Sequence, residues 1–198
     1  MEELKSYQEK VKDIKKRLND FKNLSQAEQF KEFLFCLLTP QSNAQKCWSA
    51  VEEISKLKNP NYNAVHEILK TRTRFHKTKT SRILNAFQIW QKIKDELKKE
   101  DIREIRNFLV EKVNGYGLKE ASHFLRNIGK SNNKIAILDR HILRNLFILN
   151  LILEAKIKSK KNYLEIEKIF PNYSEKINIP ADELDLLWWS KENGEIFK

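Results

Sequence analysis

Two residues in the middle of the chain have the types and the setting for covalent chemistry. Lys119 follows Val113-Asn114-Gly115-Tyr116-Gly117 and opens a run of helical periodicity, so its amine lies in the first turn of a helix. The positive end of the helix dipole disfavours an ammonium there and favours a neutral, nucleophilic amine. Asp139 closes the apolar run Ile135-Ala136-Ile137-Leu138 and precedes Arg140-His141-Ile142, the position of a helix N-cap. A carboxylate held there can take up a proton or face a developing positive charge. Each residue also has a plain structural use, since most lone lysines are solvated and an aspartate can simply cap.

The elements that must position them are helices. Three of the four glycines fall at Gly115, Gly117 and Gly129. Gly-x-Gly between two helical patterns allows the positive φ of a tight turn and lets backbone N–H groups approach an anion closely. An ordinary turn between helices fits the same residues. After it, Leu118, Ala121, Phe124, Leu125 and Ile128 form a buried face, while Lys119, His123 and Arg126 share a face turned away from that core. Upstream, Leu4, Tyr7, Val11, Ile14, Leu18 and Phe21 make one apolar stripe, and Ser25-Gln26-Ala27-Glu28 is a capping box. The helix it opens is apolar nearly all round from Phe30 to Leu38 and is the expected core. Thr39-Pro40-Gln41-Ser42-Asn43 breaks it. Further helices carry Trp48, Val51 and Ile54; Val65, Ile68 and Leu69; Ile83, Phe87 and Trp90; and, capped by Asp101, Ile102 to Leu109. The last four are expected over 118–128, 140–154, 161–169 and 181–192. No pair of strands is visible, and the fold class is all-α.

Lysine and arginine outnumber aspartate and glutamate by 38 to 27, a formal charge of +11. Such a surplus suits a polyanionic partner, although a Lys/Glu-rich surface of the heat-adapted kind would show it too. Cys36 and Cys47 are too few for a four-thiolate cluster or a structural zinc site, and Cys36 lies in an apolar run. No metal or organic cofactor is expected. With no disulfide framework, no apolar signal core in MEELKSYQEKVKD and no segment of membrane-spanning length, a cytoplasmic protein without membrane contact is expected.

At Val113–Ala121 the residues resemble a known family. VNGYGLKEA is similar to the hairpin of the helix-hairpin-helix DNA glycosylase superfamily, whose members place an aspartate about twenty residues later. Lys119 falls where bifunctional members carry a Schiff-base lysine, and Leu138-Asp139-Arg140-His141-Ile142 resembles the segment of their catalytic aspartate. Asn114 replaces the common hairpin proline, and the loop before Asp139 is slightly long. Leu37–Ala44, Thr73–Lys79, Leu184–Lys191 and Gly194–Lys198 point to one branch, the prokaryotic type 2 8-oxoguanine DNA glycosylase/AP lyases.

The resemblance implies a DNA repair enzyme acting as a monomer on double-stranded DNA that contains 8-oxoguanine or abasic sites. Lys119 would attack the sugar of a flipped-out nucleotide, assisted by Asp139, and strand cleavage by β-elimination would follow. Gly115, Tyr116 and Gly117 would hold the DNA backbone, and Gln41 would fill the space the base leaves. Arg74, Lys77 and Lys79 are further candidates for the backbone. Trp188, Trp189 and Lys198 are the candidates for base recognition, with the Lys198 α-carboxylate accepting from the N1–H and N2–H of the purine. His141 is expected to pack or hydrogen-bond near Asp139. The architecture implied is two helical subdomains flanking a DNA-binding cleft. Residues 25–135 form the first, with the helix-hairpin-helix at about 102–128, and residues 1–24 plus 136–198 the second. Two rivals stay open: the same fold acting on an oxidised pyrimidine or mismatched base, and a non-catalytic helix-hairpin-helix DNA-binding module.

Overall fold

The computed structural model describes residues 2–198. Among these it contains ten α-helices and no strand, as the periodicity implies. They are α1 (Glu2–Lys22), α2 (Gln26–Leu38), α3 (Ala44–Ile54), α4 (Tyr62–Lys70), α5 (His76–Glu96), α6 (Ile102–Lys112), α7 (Leu118–Asn127), α8 (Arg140–Ile148), α9 (Lys160–Lys176) and α10 (Ala181–Asn193). None is long and apolar enough to cross a membrane. The chain divides into two compact units, Leu24–Phe124 and the N-terminal residues to Asn23 together with Leu125–Lys198.

The unit Leu24–Phe124 is built on α2. The Ser25 hydroxyl accepts from the Glu28 N–H while the Glu28 carboxylate accepts from the Ser25 N–H, so the expected capping box is complete. No β-branched residue interrupts Gln26–Leu38, and Phe33 to Leu38 are all at most 1% exposed. α2 packs on α3 and α5; α4 lies on both of these, and α6 on α5. The Phe33 ring lies 5.3 Å from Trp90, 5.3 Å from Tyr116 and 5.4 Å from Phe124. These distances suit tilted and edge-to-face aromatic packing.

In the other unit α10 packs on α1, α8 and α9. Its Leu184, Leu186 and Leu187 are fully buried, as are Ile14 and Phe21 of the α1 stripe, whereas Leu4 at the outer end is exposed. α8 stops at Ile148, short of the expected 154. Asn150 adopts φ 56 and the Leu151 N–H returns to the Leu146 carbonyl at 2.9 Å, a left-handed closure that asparagine tolerates. α9 runs beyond the expected 169 to Lys176 with Pro171 inside it, so a single proline removes one donor without ending the helix.

The stretch Ile135–Leu138 is buried yet neither helix nor strand, so its backbone groups need partners from elsewhere. α9 supplies them. The Tyr163 hydroxyl donates to the Ala136 carbonyl at 2.8 Å and accepts from the Leu138 N–H at 3.3 Å, while the Glu167 carboxylate accepts from the Ala136 N–H at 3.1 Å. This clamp delivers the chain to Asp139. Tyr163→Phe is expected to cost about 1–3 kcal/mol, because it leaves two buried backbone groups short of a partner. Urea denaturation measures it, and an unchanged midpoint would show that the clamp is dispensable.

Candidate active site

The turn between α6 and α7 is held from within. The Tyr116 N–H bonds to the Val113 carbonyl at 3.0 Å and its hydroxyl donates to the Phe33 carbonyl at 2.9 Å. Burial raises this phenol well above its ordinary range, so it remains a donor. With ring, hydroxyl and N–H engaged inside the unit, Tyr116 anchors the turn from within. Gly115 sits at φ 102 with the Arg82 side chain lying across it, where a Cβ would meet the Arg82 Cδ at 2.6 Å. The angle strains any other residue there, whereas the space is closed only by the flexible Arg82 side chain.

Gly117 precedes α7, and its N–H donates to the Glu120 carboxylate at 3.1 Å. The other Glu120 oxygen lies 3.6 Å from the Lys119 ammonium nitrogen. Glu120 thus both caps the helix and touches the candidate nucleophile. The reading of the sequence passed over it, although glutamate at the third helical position is half of a capping box. The Lys119 side chain is 26% exposed, partly covered but reachable. Its expected companions on a free face are not free. His123 and Arg126 are buried along with the apolar face, the Arg126 guanidinium bonding Asp185 at 3.0 Å and lying 5.5 Å from the Phe21 ring centre. α7 is enclosed all round from Ala121 onward, so its polar residues are internal partners and not a second, solvated side.

Asp139 is the N-cap of α8, as its place in the sequence implies. Its own N–H turns back to the Ile137 carbonyl at 2.7 Å, and its Oδ1 accepts from the N–H groups of His141 at 2.8 Å and Ile142 at 2.9 Å. Both cap bonds fall on Oδ1, so capping does not engage Oδ2. His141 Nδ1 lies 3.5 Å from the Glu192 carboxylate of α10, and Arg140 Nε donates to His141 Nε2 at 3.2 Å.

Gln41 is exposed at the third position of a turn closed by the Ser42 N–H on the Thr39 carbonyl at 3.0 Å. Its φ of 56 is one that β-turns usually give to glycine or asparagine. In the basic segment, Arg74 and Lys77 are exposed, but Lys79 is only 1% exposed, which corrects its placing among surface contacts to DNA. Burial lowers the Lys79 amine to about 8, and the charges of Arg82, Arg74 and Lys119 push the same way. Arg82 had no signal in the sequence beyond its charge.

Of the three residues assigned to base recognition, Trp188 is corrected by its burial. It is 1% exposed, packs on Phe170 at 5.5 Å and Tyr173 at 6.0 Å, and donates its indole N–H to Glu3 at 3.2 Å. It is core and has no free face for a base. Trp189 is part-exposed, with its ring centre 6.3 Å from that of Phe197. Gly194 takes a left-handed C-cap, its N–H on the Ser190 carbonyl at 2.9 Å, and the tail returns to bury Lys198, whose ammonium lies 5.8 Å from the Phe21 ring.

Along almost its whole length the chain is similar to proteins of known name. The profile of a family described as 8-oxoguanine DNA glycosylase matches residues 14–179. A Fusobacterium nucleatum protein named 8-oxoguanine DNA glycosylase/AP lyase is 40% identical, the match covering 98% of this chain and 95% of that one. A protein of the same name from Methanocaldococcus jannaschii is 38% identical over 100% of this chain and 97% of its own. Among solved structures, the Methanocaldococcus jannaschii 8-oxoguanine glycosylase/lyase in complex with 15mer DNA containing 8-oxoguanine superposes with a TM-score of 0.87 at 37% identity, covering 100% of both chains. The 8-oxoguanine DNA glycosylase of Thermotoga maritima gives 0.90 at 31% identity, covering 100% of this chain and 97% of that one.

The Asp139 geometry makes a separable prediction about stability. Asparagine caps a helix about as well as aspartate, so Asp139→Asn should shift the unfolding free energy by about 1 kcal/mol or less. A larger loss in urea denaturation would mean that the carboxylate charge itself holds the fold.

Proposed function

Since the chain belongs to the 8-oxoguanine DNA glycosylase family, we propose that it excises 8-oxoguanine from double-stranded DNA and then cleaves the strand at the abasic site. The observation that carries the reading is Lys119, a part-exposed amine in the first turn of α7, behind a turn locked by Tyr116. With the nucleotide flipped out of the duplex, the neutral amine attacks C1′ and the bond from C1′ to the base breaks. The base leaves with the electron pair and takes up a proton. Asp139 accepts the proton that the amine sheds and offsets positive charge on the sugar, with Oδ2 outside the cap bonds. The ring-opened Schiff base then loses a proton from C2′, and the 3′ phosphate departs by β-elimination.

Gly115 and Gly117 are the points of close approach for the DNA backbone, with the Arg82 cation beside Gly115 to attract a phosphate. Gln41, exposed at the tip of its turn, fills the space left by the base. Trp189 and Lys198 contribute to recognition of the base, supported by a tail that folds back and buries Lys198. The same reading has the chain act as a monomer in the cytoplasm, on lesions and abasic sites of the nucleoid.

Borohydride should trap a covalent adduct between the wild-type protein and an abasic or 8-oxoguanine duplex, and none with Lys119→Gln. A full-strength adduct in that variant would remove the nucleophile from the scheme. Asp139→Asn should bind DNA yet lose about two orders of magnitude or more in single-turnover excision. Deleting Lys198 should weaken 8-oxoguanine excision far more than cleavage of a preformed abasic site, and equal loss of both would place recognition elsewhere.

A further inference from the structure

Lys79 is a buried ammonium group that the reaction scheme does not use. Its nitrogen donates to the Leu38 carbonyl at 2.7 Å, the Pro40 carbonyl at 2.9 Å and the Ser42 hydroxyl at 2.9 Å. All three N–H bonds of the ammonium are therefore spent on one short stretch of chain, the one that contains Gln41. Leu38 is the last residue of α2, so its carbonyl is among those that a helix leaves without an internal partner, at the negative end of the dipole. The Cys47 thiol donates to the same carbonyl at 3.2 Å, and the Ser42 hydroxyl also accepts the Arg74 N–H at 2.9 Å.

The bonds bracket Gln41 on both sides without touching it. A non-glycine residue at φ 56 persists only where its surroundings over-determine the backbone. Here the surroundings are Lys79: one charge fixes the end of α2, the residue before Gln41 and the residue after it. We propose that Lys79 is a positioning residue, holding the Leu38–Ser42 turn in the form that presents Gln41 to the duplex. The proposal rests on reading Gln41 as the side chain that fills the space of the flipped base. Keeping an ammonium in this interior costs solvation, in line with its lowering to about 8 by burial, by Arg82, Arg74 and Lys119, and against the opposing Cys47. A methionine of similar length would fill the site without that cost, but would leave the turn without its donors.

The test uses 8-oxoguanine in a duplex and in a single strand, because only the duplex has a space to fill. Lys79→Met should lower single-turnover excision from the duplex by about tenfold or more, as expected for a misplaced contact, and spare the single strand. Gln41→Ala should do the same, and the double variant should be no slower than the slower single one. Lys79→Gln, which keeps two N–H donors and serves if the Met variant does not fold, should retain more of the duplex rate. Amide exchange should accelerate over residues 39–43 in Lys79→Met and stay unchanged in the other helices. Equal loss on both substrates, additive losses in the double variant, or unchanged exchange at 39–43 would overturn the positioning role. A normal Gln41→Ala duplex rate beside faster exchange in Lys79→Met would instead overturn the reading of Gln41.

Discussion

The hydrogen bond from the Tyr116 hydroxyl to the Phe33 carbonyl ties the turn before α7 to the middle of the core helix α2. Everything proposed for Lys119 depends on it. The turn has glycines on both sides of Tyr116, and two glycines alone would make it the loosest stretch of the unit. Packing the ring at 5.3 Å from Phe33 and 6.3 Å from Phe124 removes that freedom. A hydroxyl buried at this depth without a partner would cost about 1–3 kcal/mol, so the phenol has strong reason to stay on its acceptor. The first turn of α7 then begins at a fixed place, and Glu120 closes it by taking the Gly117 N–H.

The same logic recurs wherever the chain leaves a helix inside the protein. Backbone groups outside a helix have lost their internal partners, and in an all-helical fold no neighbouring strand can supply them. Side chains from other helices do so: Lys79 for the end of α2, Tyr163 and Glu167 for Ile135–Leu138. These polar groups are buried because the backbone they serve is buried. Charged groups in such positions are a poor source of net stability, since desolvation offsets much of their attraction. What they supply is a single geometry. Both candidate reactive residues benefit, since Lys119 follows the turn locked by Tyr116 and Asp139 follows the segment clamped by α9.

Charge contributes at longer range. The surplus of +11 is carried mostly by solvated side chains, yet Arg74, Arg82 and Lys119 lie close enough to Lys79 to disfavour its ammonium. Charges that are part-buried are screened less than solvated ones, whose reach is about 10 Å at moderate salt. In the proposed reading, a phosphate entering there would relieve their mutual repulsion.

By itself the sequence determined what depends on neighbours along the chain. Helix starts were legible at Ser25, Asp101 and Asp139, because a cap bonds N–H groups two or three residues away. The first-turn position of Lys119 and the turn at Gly115 were legible for the same reason, and with the spaced aspartate they carried the family resemblance. The tertiary structure decided which side chains face inward. Periodicity located the apolar face of α7, but His123 meets the Phe35 ring within its own unit and Arg126 meets Asp185 and Phe21 within the other, so both are buried. Likewise Lys79 looked like part of a basic surface run and Trp188 like half of a recognition pair, until the end of α2 and the turn after it supplied acceptors for one and α9 a packing surface for the other. A residue's spacing fixes its direction from its own helix axis, while only the packed neighbours decide what lies in that direction.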